Sequence, residues 1–353
     1  MKGPGAGLSL ETYADIGRIG PEWDALFAAA AGLQCSRAWF GANAAAALPA
    51  GAQACYVAIR DRDGPAMLVP MVAGPGRDWA SLTTPYTCLF QPLLRPAAPA
   101  GLVRAAAASF GREARRRGIT RLEALDLDWP GLPAFRSGLA DAGLVTRTFE
   151  HFGNWHTEVG GGWAEYLQRR PGKLRETIRR RTLAAARTPG IRLEVVHDPA
   201  ELGRALAAYE DVYARSWKEP EPYPGFNAAL VQALAGTGAL RFGLMWSGEE
   251  PIAAQYWTVT GGVATVLKLA HDDRFKPLSP GTVLTAHVIR TLIERDGIRA
   301  LDFGRGDDPY KQGWTGQRRA RIGLLAVNPF NLEGILLLSR HELGRIYRRW
   351  RDC

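Results

Sequence analysis

Between residues 240 and 314 the apolar and polar positions fall into blocks that read as strand, turn, strand, turn, strand, loop, helix, strand. The apolar run 240–246 (LRFGLMW) closes on Ser247, Gly248, Glu249, Glu250 and Pro251. Residues 252–260 (IAAQYWTVT) follow, then Gly261 and Gly262, then 263–270 (VATVLKLA). Turn residues between β-rich runs predict an antiparallel meander. After His271 a basic, proline-marked loop opens a helical period over 283–294, ended by Gly297, and the chain returns as a strand at 300–303. Residues 304–311 are read as the loop beyond it. A loop that enters a helix N-terminus beside a strand end offers free N–H groups and a helix dipole to an anion.

The same reading over the rest of the chain predicts helices at 22–31 and 36–47, with Ser36 as an N-cap. Strands at 54–60 and 66–72 flank a turn at 61–64, and Pro70 inside the second marks an edge or a bulge. An extended segment at 79–90, a helix at 100–117, a strand at 121–127 and a helix at 133–142 complete the first half. The second half adds a strand at 156–159, helices at 163–169 and 172–187, a strand at 191–196, and helices at 199–217 and 227–235. Both halves share the order helix, strand, strand, helix, strand. The fold class expected is α/β in the broad sense, an α+β arrangement of mixed, mostly antiparallel sheets flanked by helices. Residues 1–150 form one expected domain and 151–328 a second. Residues 329–353 form a tail with an apolar run at 332–338 and a basic amphipathic helix at 341–351.

Composition narrows this little. A chain of 353 residues suits two domains, and 46% apolar with 22% charged residues suits a packed soluble core. The net charge of +9 favours anionic partners, namely nucleic acid, phosphorylated co-substrates or an anionic membrane surface, without choosing among them. Cys35, Cys55, Cys88 and Cys353 match no zinc or redox spacing, and the six histidines show no metal-ligand spacing. No metal is therefore expected, and free thiols suggest a reducing, cytoplasmic location. No signal-peptide core and no membrane-length apolar run occurs. The motifs of α/β-hydrolases, P-loop enzymes and zincins are absent.

Three clusters carry candidate chemistry. Residues 169–192 hold nine Lys and Arg side chains against the single acid Glu176, which reads either as a phosphate-tracking surface for tRNA or as a solvated Arg-rich face without interleaved aromatics. Beyond the strand at 300–303, Arg305, Asp307, Asp308, Tyr310 and Lys311 crowd a Gly-flanked loop, and Asp302 inside the strand is placed to take or orient a proton. Gln255 and Lys268 sit mid-strand and need polar partners, from a ligand or from solvent. His271 is a candidate acid/base or a structural histidine, and Trp217 with Lys218 closes a long helix as packing or as a ligand contact.

The runs SWK at 216–218, SPGT at 279–282, LDFGRG at 301–306 and YKQGW at 310–314 resemble the GNAT acyltransferase domain of the CelD-like family, named for cellulose and polysaccharide biosynthesis and similar to the Fem-like aminoacyltransferases. The likeness covers about residues 150–320, and the first half resembles that family's amino-terminal region more loosely. It implies two GNAT-like folds in tandem and transfer of an acyl group from acetyl-CoA or another acyl-CoA to an amine of a small molecule, sugar or polysaccharide precursor. On that reading Lys268, Arg274, Lys276, Ser279, Gly281 and Thr282 hold the co-substrate. Asp302, Tyr310, Lys311 and His271 serve the chemistry, and Trp217, Lys218, Gln255, Arg305 and Asp307 face the substrate. The phosphate loop departs from the GNAT pattern: after Arg274 only Gly281 is present, with Pro277 and Pro280 between the two. Two alternatives stand beside this. One is aminoacyl transfer from tRNA, as in Fem-like relatives, using the basic segment. The other is a non-catalytic scaffold docking on a polyanion or membrane.

Overall fold

The computed structural model describes residues 7–331, except 31 and 77, together with 334 and 336. The expected tail helix at 341–351, and all but two residues of the apolar run before it, lie outside the described residues. In chain order the elements are β1 (Ser9–Tyr13), α1 (Asp24–Ala29), α2 (Arg37–Ala46), β2 (Gln53–Asp61), β3 (Gly64–Ala73), β4 (Trp79–Ser81), β5 (Leu93–Leu94), α3 (Ala100–Ala114), β6 (Ile119–Asp126), α4 (Leu132–Asp141) and β7 (Val145–Glu158). There follow α5 (Trp163–Gln168), α6 (Gly172–Arg187), β8 (Ile191–Val196), α7 (Leu202–Ala214), α8 (Phe226–Leu234), β9 (Leu240–Ser247), β10 (Glu250–Thr260), β11 (Val263–His271), α9 (Pro280–Glu294), β12 (Ala300–Arg305), α10 (Pro309–Trp314) and β13 (Gln317–Val327). This is a mixed α/β fold. By its internal packing the chain divides into two compact units, one of residues up to Phe152 together with those from Ala320 onward, the other Gly153–Arg319.

In the first unit the strand order is β1-β2-β3-β4-β6-β13, with β5 also on β3. Pro70 does not mark an edge. Its strand pairs with β2 on one side, and on the other with β5 at Met67 and Leu68 and with β4 from Met71, so the missing N–H falls in the gap between those two short partners. Ser36 caps α2 as expected, its Oγ accepting from the Trp39 amide at 3.2 Å. The 79–90 segment is extended only at β4; β1, β13 and the first part of β7 are strands that the hydrophobic pattern did not announce.

The second unit holds the meander. Its strand order is β7-β12-β11-β10-β9-β8, antiparallel except where β11 meets β12. One face is covered by α9 and α6. Val283, Leu284, Val288, Ile289 and Leu292 of α9 are buried with Trp257, Ala264, Val266 and Phe303 from the sheet. Each such aliphatic side chain contributes about 1.5–3 kcal/mol by leaving water. The helix lies so close that a Cβ at Gly243 of β9 would stand 2.2 Å from Val288 Cγ2. The other face is covered by α7 and α8, where Tyr209 and Phe242 pack on Tyr256, whose hydroxyl donates to Asn227 Oδ1 at 2.7 Å. The helix expected over 199–217 is shorter: α7 stops at Ala214, and Arg215 turns away to bind acids. Trp217 and Lys218 therefore stand on a loop.

Candidate functional site

Strands β11 and β12 pair only through Val263 with Ala300, Ala264 with Leu301 and Thr265 with Asp302. Both continue beyond that point, to His271 and Arg305. Opposite β10, Val266 faces Trp257 but Lys268 faces Tyr256, so Leu267 is an extra residue, and a bulge of this kind bends its strand. The two parallel strands part there. In the opening, between the end of β11, the start of α9 and the short α10, lies a cavity of about 390 Å³.

The cavity brings together Trp217, Gln255, His271, Lys276, Ser279, Gly281, Thr282 and Tyr310 of the residues expected from sequence. It adds Leu269, Ala270, Pro280, Thr285 and Trp314, which sequence reasoning did not single out. Gln255 is held rather than free: its Nε2 donates to Thr285 Oγ1 at 2.7 Å, and its Oε1 accepts from Trp257 Nε1 at 3.0 Å. His271 packs against Trp217, ring centroids 4.4 Å apart, and burial lowers its pKa, with Asp273 opposing. Tyr310 has its pKa raised, first by burial and then by Asp308, so the phenol keeps its proton at neutral pH. Lys276 is paired with Asp273 at 2.7 Å.

The helix start differs from the expected phosphate cradle. Ser279 sits in the left-handed region (φ 53°), Pro280 has no N–H, and Thr282 and Val283 both donate to the Ser279 carbonyl at 3.0 and 3.1 Å. Among the described residues this leaves Gly281 as the one amide of the first turn without a partner. An apolar acyl arm fits the cavity walls; a pyrophosphate meets few donors.

Seven expected site residues lie outside the cavity, each engaged elsewhere. Asp302 is buried and both its oxygens are occupied: Oδ1 accepts from Asn154 Nδ2 and from the Gly304 amide, both at 2.7 Å, and Oδ2 from Arg319 Nη2 at 2.7 Å. It fastens the end of β12. Lys311 is buried on α10 and donates to the Arg305 carbonyl at 2.5 Å while pairing with Asp308 at 2.9 Å, so it closes the loop. The loop expected through 311 is in fact α10 from Pro309 onward. Asp307 pairs with Arg318 at 2.7 Å, and Arg305 ends β12 half-buried. Lys268 turns to the α7 face, where it pairs with Glu221 and burial lowers its pKa to about 8. Lys218, half-buried, stands 5.8 Å from the rings of both Tyr213 and Trp217. Arg274 is bound by Asp272 and Glu250.

The basic run also resolves into parts. Arg169, Arg179 and Arg192 pair with Glu165, Glu176 and Glu194. Arg181 donates to the Pro277 carbonyl and Arg170 to those of Trp314 and Thr315. Lys173, Arg175, Arg180 and Arg187 remain on the exposed side of α6.

Residues 172–312 match the acetyltransferase (GNAT) domain. Solved structures similar to this chain include FemX, at 11% identity and a TM-score of 0.60, covering 90% of this chain and 98% of that one. A tandem GNAT protein from the clavulanic acid biosynthesis pathway follows at 13% identity, a TM-score of 0.51 and the same two coverages. The C-terminal domain of a putative lysylphosphatidylglycerol synthetase from Agrobacterium fabrum gives 16% identity and a TM-score of 0.52, covering 82% of this chain and 89% of that one. No curated protein matches the chain. The fold is that of a GNAT-type acyltransferase. Among the described residues no helix is long and apolar enough to cross a membrane.

Proposed function

We propose that the second unit transfers an acyl group from an activated donor, with acyl-CoA first in line, to the amine of a small-molecule or glycan-precursor acceptor. The observation that carries this is the cavity in the opening between β11 and β12, apolar along Leu269, Ala270 and Trp314, with a neutral imidazole and a protonated phenol on its wall. A thioester supplies an activated carbonyl and a thiolate leaving group. His271, neutral at pH 7, takes the proton the amine must lose to attack, and Tyr310 gives a proton to the departing sulfur. Cys35, Cys55 and Cys88 as free thiols support a cytoplasmic setting. Calorimetric titration with acetyl-CoA and desulfo-CoA, on the wild type and on a Gly281→Trp chain with the cavity filled, tests the donor. No heat at millimolar ligand removes the CoA reading.

One observation favours a second reading. The helix start that offers a single amide to a pyrophosphate coexists with four exposed cations on α6, which suits an aminoacyl-tRNA donor. Charged-tRNA binding that falls steeply with salt and weakens in an Arg175→Ala/Arg180→Ala chain supports it.

A further inference from the structure

Arg170 is a cation without a counter-ion. Its side chain is nine-tenths buried, and among the described residues no carboxylate reaches it. Burial lowers its pKa; the Tyr166 phenol opposes the shift, and the neighbouring charge of Arg169 adds to it. Nη1 is used, donating to the carbonyls of Trp314 at 2.8 Å and Thr315 at 2.6 Å, and one face lies on Tyr166 at 4.9 Å. The other edge is not used: Nε has no partner, and no hydrogen bond is made by Nη2 among the described residues. A buried, unpaired charge costs several kcal/mol, on the order that a paired one would recover. Nε and Nη2 together are the two-pronged side of a guanidinium, the edge that matches two oxygens of a carboxylate or phosphate.

Arg170 lines a second pocket, about 520 Å³, with Arg169, Pro171, Pro309, Gln312 and Gly316. Gly316 has φ 87°, a conformation that leaves this wall without a side chain, and a Cβ there would come within 3.9 Å of Arg170 Nη1. Tyr310 and Trp314 of α10 line the first cavity, whereas Pro309 and Gln312 of the same short helix line this one. An anion held by Arg170 is therefore separated from the donor cavity by the thickness of one helical turn.

We propose that the pocket at Arg170 binds the two-oxygen anionic group, phosphate or carboxylate, of a small-molecule ligand, separately from the acyl donor. In the reaction proposed above that ligand is the acceptor, which would be anchored by its charged end. The binding claim itself does not depend on any activity.

The test is titration of the full chain with inorganic phosphate and, separately, with acetate, at fixed ionic strength in chloride, followed by NMR or calorimetry. Saturable binding on the order of millimolar is expected for at least one of the two. Arg170→Lys keeps the charge but loses the fork and should weaken binding about tenfold. Gln312→Glu keeps Arg170 and its clamp on α10 while placing a carboxylate in the pocket, and should weaken binding by a similar factor; Arg62→Gln, on an exposed turn of the first unit, should leave it unchanged. Saturating desulfo-CoA should leave phosphate affinity within about twofold, and this arm separates the site from the donor cavity. Equal affinity in the wild type, Arg170→Lys and Gln312→Glu, absence of saturation for both anions, or full competition by desulfo-CoA would each overturn the assignment. Failure of acetyl-CoA to bind, with phosphate binding intact, would sink the donor reading and leave this one standing.

Discussion

Asp272 offers a sharp quantitative test of how the cavity wall is held. It is 2% exposed and begins the segment that carries Lys276 and Ser279. Arg274 donates to it from Nε at 3.0 Å and Nη2 at 2.6 Å and from its backbone amide at 2.9 Å, and Arg215 Nη1 adds a bond at 2.6 Å. These donors, Arg274 first, hold its pKa at about 2 against an ordinary 3.8. At 1.36 kcal/mol per unit, a depression of about 1.8 units corresponds to roughly 2.5 kcal/mol of stability. The folded pKa lies below the unfolded one, so this stability is complete above about pH 4 and disappears as pH falls through about 2. Asp272→Asn keeps the shape and removes the charge. It leaves Arg215 and Arg274 facing a neutral amide, and we expect a loss of about 2–4 kcal/mol at pH 7. Urea unfolding at pH 7 and at pH 3 reads the loss, and amide exchange over 273–279 reads its location. The variant should also lose part of the acid sensitivity of the wild type between pH 4 and 2. A urea midpoint unchanged at pH 7, or an acid profile identical to that of the wild type, would refute the reasoning.

Other perturbations have defined outcomes. Tyr310→Phe should lower kcat by about 10²-fold while leaving donor affinity within about twofold, read by steady-state kinetics and calorimetry. Ser279→Gly relieves a left-handed backbone (φ 53°) and should stabilise by about 0.5–1 kcal/mol in thermal unfolding, whereas Ser279→Val should destabilise. Gly138 lies where a Cβ would stand 2.2 Å from the Arg104 carbonyl, so Gly138→Ala should cost about 1–3 kcal/mol by forcing α4 off α3. Lys268→Met alone removes the cation paired with Glu221 and should destabilise, while Lys268→Met/Glu221→Leu should be less destabilising in urea.

The long periodic elements could be read from sequence because their partners are local. Helix α6 and strand β8 fall where the pattern put them, and the β9–β11 meander is delimited by turn residues that need no tertiary information. Helix α10 was hidden because six residues that include Pro309 and Gly313 carry no helical period. Strand β13 begins with a run of charges whose meaning depends on acids far away in sequence: Arg318 on Asp307, Arg319 on Asp302, Arg321 on Asp126. The first part of β7, TRTFEHF, sets its two phenylalanines three positions apart and so gives no period-two signal. The site was half legible for the same reason. Residues on β11 and at the start of α9 converge on the cavity, but Asp302 and Lys311 were assigned chemistry from residue type alone. Whether a carboxylate is free is decided by Asn154, 148 positions away, and no local pattern reports that. Arg170 was counted as one cation in a run, although its role comes from carbonyls of residues 314 and 315.

The path of β13 bears on how the molecule is made. Residues from Ala320 onward belong with the first unit, and β13 pairs antiparallel along β6, from Arg321 with Asp126 to Val327 with Ile119. The whole of Gly153–Arg319 is thus spliced into the chain of the other unit. On the ribosome the amino-terminal sheet is synthesised first yet holds an open edge at β6 while about 170 further residues emerge. The spliced unit has all its own strands by then and can fold early. Among the described strands β13 leaves the ribosome last, and it completes the first sheet begun. A chain arrested before residue 317 would lack both β13 and the Arg319 side chain that holds Asp302, and would leave β6 an unpaired, aggregation-prone edge.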